Sequence, residues 1–345
     1  MSKIKISLIV LLVIMAAFAV WACTHVKDGN NQTTAHGEKV VTKIGYLPIL
    51  DHFLVGVARE RDSSKFTAID LQPTKFTDYA TMSEAVRSGE LQGAVLLAPL
   101  AFKLRITGAP VKIVSLAHRD GSGLVVHVRK GINTVQDLRG KTIAIPHKFS
   151  TNNFLLHFYL GEAGLVYGTD YKISEIPPPQ MFAALSNGSV DAFITAEPFL
   201  SQAELSGVGK VLFLTSQIWK NHPDCLIILR EDYMTQHPEA TQEFITSITE
   251  SGIFVEENRV EAAKIAHHFF GQTEEIMNHA LSDPDRVTYY NLTPVVSELN
   301  RIQDYMADKM GLFPQKVNME ELVDTTFSKH AYETIEKESQ SANSK

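Results

Sequence analysis

Residues 40–116 read VVTKIGYLPILDHFLVGVARERDSSKFTAIDLQPTKFTDYATMSEAVRSGELQGAVLLAPLAFKLRITGAPVKIVSL. Four short β-prone runs, Val40–Tyr46, Ile69–Lys75, Gly93–Leu97 and Val111–Leu116, alternate with helical patterns near His52–Arg61, Tyr79–Ser88 and Pro99–Thr107. Such alternation predicts parallel βαβ units with helices on both faces of a sheet. It resumes further on, with strands predicted at Leu124–Val128, Thr142–Ile145, Tyr171–Ile176, Ala192–Thr195 and Val211–Leu214. Helical patterns lie between these, near Val135–Leu138, Asn152–Ala163, Pro179–Ser186 and Pro198–Leu205. After Arg230 the alternation stops and a helical region is expected. There Val295, Leu299, Ile302, Met306 and Met310 share one helix face, Gly311 is placed to end it, and the polar tail from Glu333 is expected to fray.

The chain has 345 residues, 44% hydrophobic and 21% charged, enough for two globular units. Its 32 basic and 39 acidic residues give a net charge of −7, which argues against a nucleic-acid partner. Lys3 and Lys5 precede an apolar stretch from Ile6 to Ala22, and a polar segment follows Cys23, the layout of a signal peptide. Val20-Trp21-Ala22-Cys23 resembles a bacterial lipobox, with Trp21 where a small residue is usual, so Cys23 is expected to carry lipid and anchor the chain to the cell membrane. The remaining cysteine, Cys225, lies in an apolar run and is not expected to pair with it.

Pro177-Pro178-Pro179-Gln180-Met181, Asp191-Ala192-Phe193, Glu197-Pro198-Phe199 and Ile218-Trp219-Lys220-Asn221-His222-Pro223-Asp224 resemble landmarks of the solute-binding proteins of ABC importers for nitrate, bicarbonate, sulfonate and taurine. Gly45-Tyr46-Leu47-Pro48 and Asp137-Leu138-Arg139-Gly140-Lys141 fit the same pattern. The resemblance implies an α/β, two-lobed periplasmic-binding-protein type II fold with two crossover strands and a helical C-terminal region. The expected organisation is a signal peptide over 1–22, a flexible tether over 23–39, lobe one over 40–123 plus 226–345 and lobe two over 124–225. It further implies a monomer that delivers a small solute to an ABC permease with its ATPase subunit. A ligand-sensing binding protein of the same fold is the alternative.

Ligands of open α/β sheets sit beyond the carboxyl ends of strands, which selects particular loops. Asp51 reads as a helix N-cap and His52 as a residue facing the cleft. Ala98, before Pro99, would allow close backbone approach. His118 and Arg119 form the best cluster of donors, with the Arg fork suited to a carboxylate or sulfonate. Ser150, Thr151 and Asn152 open a helix with more polar groups than one cap requires, Glu197 would contact ligand or brace the lobes, and Trp219 and Cys225 complete the wall. Where nitrate- and bicarbonate-binding members carry a histidine and a lysine, this chain aligns Asn152 and Cys225, so nitrate is not the expected ligand.

No enzyme, cofactor or metal site is expected. Gly140-Lys141-Thr142 copies the end of a phosphate-binding loop, but residue 135 is Val where that loop needs Gly. Asp120 spoils a nucleophile elbow at Gly121-Ser122-Gly123, and the adjacent His267 and His268 have no acidic partner at metal-ligand spacing.

Overall fold

A computed structural model describes residues 38–343; nine of its twelve strands answer to the strands expected from the sequence, while Arg119–Asp120, Cys225–Arg230 and Val287–Thr288 are additional. β1 (Val40–Tyr46) pairs in parallel with β2 (Ile69–Lys75) and β3 (Gly93–Leu97). β11 (Cys225–Arg230) then runs antiparallel between β3 and β4 (Val111–Leu116), closing a first sheet of order β2-β1-β3-β11-β4. β3 is buried along its whole length, as its uninterrupted apolar sequence requires of a strand covered on both faces.

The second sheet has the order β10-β6-β9-β7-β8, built from β6 (Ser122–His127), β7 (Thr142–Ile145), β8 (Lys172–Glu175), β9 (Ala192–Ala196) and β10 (Gly209–Leu214). β7 is parallel to β8 and β9, whereas β6 runs antiparallel to β9 and β10. Both sheets are therefore mixed rather than purely parallel. The reason is that the chain passes between them twice, through residues 117–121 and 215–224, and each passage delivers a strand that enters its new sheet against the grain. A two-strand ribbon, β5 (Arg119–Asp120) with β12 (Val287–Thr288), ties the first passage to the C-terminal region.

That region is helical apart from β12. In the helix Val296–Asp308, Leu299, Ile302 and Met306 are buried as expected, while Val295 caps it from outside, exposed, and Met310 lies beyond its end. The tail does not fray at Glu333: a helix runs from Thr326 to Asn343, in a segment free of Gly and Pro and rich in helix-forming Glu, Lys and Ala. No helix among the described residues is long and apolar enough to cross a membrane. Cys23 and the expected signal peptide lie outside the described residues.

Candidate functional site

The loops at the ends of the first sheet's strands bring Asp51, His118, Asp224 and Cys225 together in the interior. A single 3-10 turn, Leu50–His52, follows β1 and holds Asp51. His118 stands just past β4, Asp224 precedes β11 and Cys225 opens it. Asp51 Oδ2 lies 3.3 Å from His118 Nε2, and the Cys225 thiol donates to the same oxygen over 3.8 Å. The Cys225 backbone N–H donates to His118 Nε2 at 3.2 Å. The second sheet covers this group with polar atoms of its own: Ser122 Oγ, at the start of β6, donates to Asp224 Oδ2 at 3.1 Å. Asn152 Nδ2, in the first turn of the helix Thr151–Glu162, donates to Ser122 Oγ at 3.1 Å.

Beside this group a second pair is buried: His222 Nδ1 lies 2.8 Å from the Trp219 carbonyl and 2.9 Å from Asp120 Oδ1. Among the described residues no lysine or arginine forms an ion pair with Asp51, Asp120 or Asp224, whose close partners are imidazoles, a hydroxyl and a thiol. Several of their atoms, Asp51 Oδ1, His118 Nδ1, Asn152 Oδ1, Asp224 Oδ1 and His222 Nε2, are buried without a hydrogen-bond partner. Buried polar atoms are normally satisfied, so such a concentration marks a place built to meet something else.

The electrostatics follow from burial among like charges. Burial, then the neighbouring Asp51, pushes the Asp224 carboxyl up to about 6. Burial, Asp51 and Asp224 push the Cys225 thiol well above its ordinary value. For His118, burial works against the imidazolium, but Asp51, Asp224 and Asp120 outweigh it and raise the pKa. The site thus holds its protons tightly and offers acceptors in excess of cations.

The structure gathers some of the expected residues here and sends others elsewhere. His118, Asn152 and Cys225 meet in the cluster. Asp51 does not cap a helix: the intervening turn moves the helix start to Phe53 and leaves its carboxylate free for His118 and Cys225. His52 turns back instead, accepting the Leu47 N–H on Nδ1 at 2.8 Å, while burial and nearby His118 hold its pKa low. Ala98 contributes its backbone N–H, which donates to the Asp224 carbonyl at 3.0 Å. Ser150 is the helix N-cap, accepting from Asn153 N at 3.0 Å, and Thr151 Oγ1 is buried without a partner.

Arg119 points away from the cluster. Its Nε donates to the Asn291 carbonyl (3.0 Å) and its Nη1 to the Asn221 carbonyl (2.6 Å) and to Glu298 (3.1 Å), so the guanidinium is committed away from the cluster. Glu197 is fully buried, accepts from Ser201 N and Oγ, both at 3.0 Å, and pairs with Arg286. Trp219 stands edge-on to Phe154 and carries the Arg301 guanidinium 4.2 Å above its ring, a packing role. Asp120, Ser122, His222 and Asp224 were not among the expected site residues. Their signal was an acid and a histidine recurring at each passage between sheets, His118-Arg119-Asp120 and His222-Pro223-Asp224, next to apolar strands where unpaired charge is costly.

The sequence model of the NMT1-like family matches residues 35–268. A nitrate/nitrite binding protein, NrtA, of Nostoc sp. is 24% identical over 261 residues, covering 68% of this chain and 59% of that protein. The chain spans between 36% and 59% of the length of the first curated relatives it matches. A ligand-binding component of an ABC-type import system from Staphylococcus aureus, solved with zinc bound, superposes with a TM-score of 0.77 at 26% identity, covering 85% of this chain and 99% of that one. The periplasmic nitrate-binding protein NrtA from Synechocystis shares the fold, with a TM-score of 0.79 at 19% identity over 87% of this chain and 90% of that one. These neighbours carry the type II periplasmic-binding-protein fold.

Proposed function

Because the chain belongs to the NMT1-like family, we propose that it is the extracytoplasmic solute-binding component of an ABC importer, receiving one small solute between its two sheets. In this reading residues 40–123 plus 226–345 form one lobe and 124–225 the other, the two passages between sheets act as hinges, and Cys23 carries the lipid that holds the protein at the membrane. The chain works as a monomer, performs no catalysis, and hands its solute to a permease driven by an ATPase subunit. The observation that carries the reading is the buried cluster of unsatisfied polar atoms where both sheets meet, around Asp51, His118, Asp224 and Asn152. A site so enclosed is reached only if the lobes part.

The same cluster supports a revision of the solute's class. Burying an anion against Asp51, Asp120 and Asp224 would add repulsion to desolvation, and Arg119 is engaged elsewhere. The solute therefore meets the protein with donors or positive charge. Thermal-shift screening of small solutes tests the proposal, since a ligand at a hundredfold its Kd adds about 2.7 kcal/mol. The hit should compact the protein in solution scattering and be lost in Asp51→Asn. Tight binding without compaction, or binding indifferent to Asp51, would contradict it.

A further inference from the structure

Asp51, His118 and Cys225 each present one donor atom, and those atoms all lie within 4.8 Å of one another, buried. The carboxylate stands between the other two, 3.3 Å from the ring nitrogen and 3.8 Å from the sulfur. A tetrahedral ion bonded at about 2.0–2.1 Å to O and N and about 2.3 Å to S separates its O and N ligands by about 3.3 Å and its O and S ligands by about 3.5 Å. The side chains already stand close to those separations.

Hydrogen bonds join Asp51 Oδ2, His118 Nε2 and Cys225 within the group but leave its other polar atoms unserved. Asp51 Oδ1 and His118 Nδ1 are buried without partners, and both lie 2.9 Å from the point a Cβ on residue 121 would occupy. Residue 121 is glycine, at φ +97°. A side chain at residue 121 would displace both atoms, so glycine there lets the carboxylate and the ring pack against its backbone.

We propose that the solute site takes one divalent transition-metal cation of the zinc type, held by the Asp51 carboxylate, the His118 imidazole and the Cys225 thiolate. The proposal rests on the solute-binding reading above and names the chemistry of what that site receives. An ammonium group would gain nothing from the sulfur, and calcium or magnesium would demand oxygen ligands, whereas a mixed O, N and S set selects a borderline ion. Binding displaces the thiol proton of Cys225, and that of His118 where the ring is protonated, to solvent. Three protein ligands leave a fourth position open, which suits a cargo that must leave again. The ligands all stand at strand ends of the first sheet or in the segments beside them, so the ion can load while the second sheet stands away, and Ser122 and Asn152 then cover it.

The test uses the full chain stripped with chelator, with Co2+ as the spectroscopic probe and Zn2+ measured by competition. The wild type should bind one equivalent of Co2+ and show a thiolate charge-transfer band, absent in Cys225→Ser and retained in Cys23→Ser. Asp51→Asn and His118→Gln should each weaken Zn2+ by roughly a hundredfold or more. A wild type without the band, or a band that Cys23→Ser removes and Cys225→Ser leaves, overturns the metal proposal whether or not any variant folds. If an organic solute then compacts the protein in an Asp51-dependent way, the solute-binding reading stands without the metal. If solute binding ignores Asp51, both fall.

Discussion

Replacing Arg286 by Met should destabilise the protein by about 3 kcal/mol at neutral pH, and the loss should vanish in acid. Glu197 follows β9 of the second sheet, Arg286 precedes β12 in the C-terminal region, and their side chains are 0% and 12% exposed, so solvent screens the pair little. Removing one partner of a buried pair costs about 3–5 kcal/mol because the other charge is stranded. The lower end applies here, since Ser201 N and Oγ still serve the carboxylate and Glu204 loses only a partly exposed contact. Burial already raises the Glu197 pKa, with Arg286 and Ser201 opposing it, so without Arg286 it rises further. A carboxylate with a raised folded-state pKa contributes stability that is present below its unfolded pKa, about 4.3, and lost as pH rises through the folded value. The deficit of Arg286→Met should thus be small near that pH and grow by up to about 1.4 kcal/mol per pH unit before levelling. Urea unfolding of both proteins across that range measures it, and Glu197→Gln combined with Arg286→Met should recover most of the loss. A deficit independent of pH, or a double variant no better than the sum of its parts, would refute the brace.

Gly121→Ala and Gly108→Ala both force a non-glycine residue into positive φ, at +97° and +88°, and each should lose about 1–2 kcal/mol by denaturant unfolding. Only the Cβ at 121 meets Asp51 and His118, so Gly121→Ala alone should abolish solute uptake by the site in equilibrium dialysis. Arg119→Ala should cost about 1–3 kcal/mol by removing its hydrogen bonds to two backbone carbonyls and freeing Glu298, yet leave solute affinity within about threefold in calorimetry. Cys23→Ser should leave the leader uncleaved and the protein without lipid, which intact-mass analysis reads directly.

Most strands were legible as short β-prone runs bounded by turn residues, and β1 to β4 and β7 begin and end where the pattern does; β5, β11 and β12 were not. Their mixed direction was not, because local periodicity says nothing of which neighbour a strand meets after a passage between sheets. The site was half legible. His118 and Cys225 announce themselves as polar or reactive groups at strand ends, and so does Asn152 at a helix start. Asp51 was misread because an acid before an apolar helical run ordinarily caps it, and a single 3-10 turn is enough to release it. Arg119 was misread because its destiny is set by β12, which lies far along the chain and pairs Val287 with Asp120 and Thr288 with Arg119. In that ribbon alternate residues face opposite ways, so Arg119 goes to Glu298 and Asp120 to His222.

On the proposed reading, the cleft recognises its solute through buried carboxylates and imidazoles and rejects anions. Calorimetric titration of the unmodified protein with nitrate, then bicarbonate and a short alkanesulfonate, tests it most directly. No saturable heat is expected from any of the three up to millimolar concentration. Saturable nitrate binding in the micromolar range would contradict it.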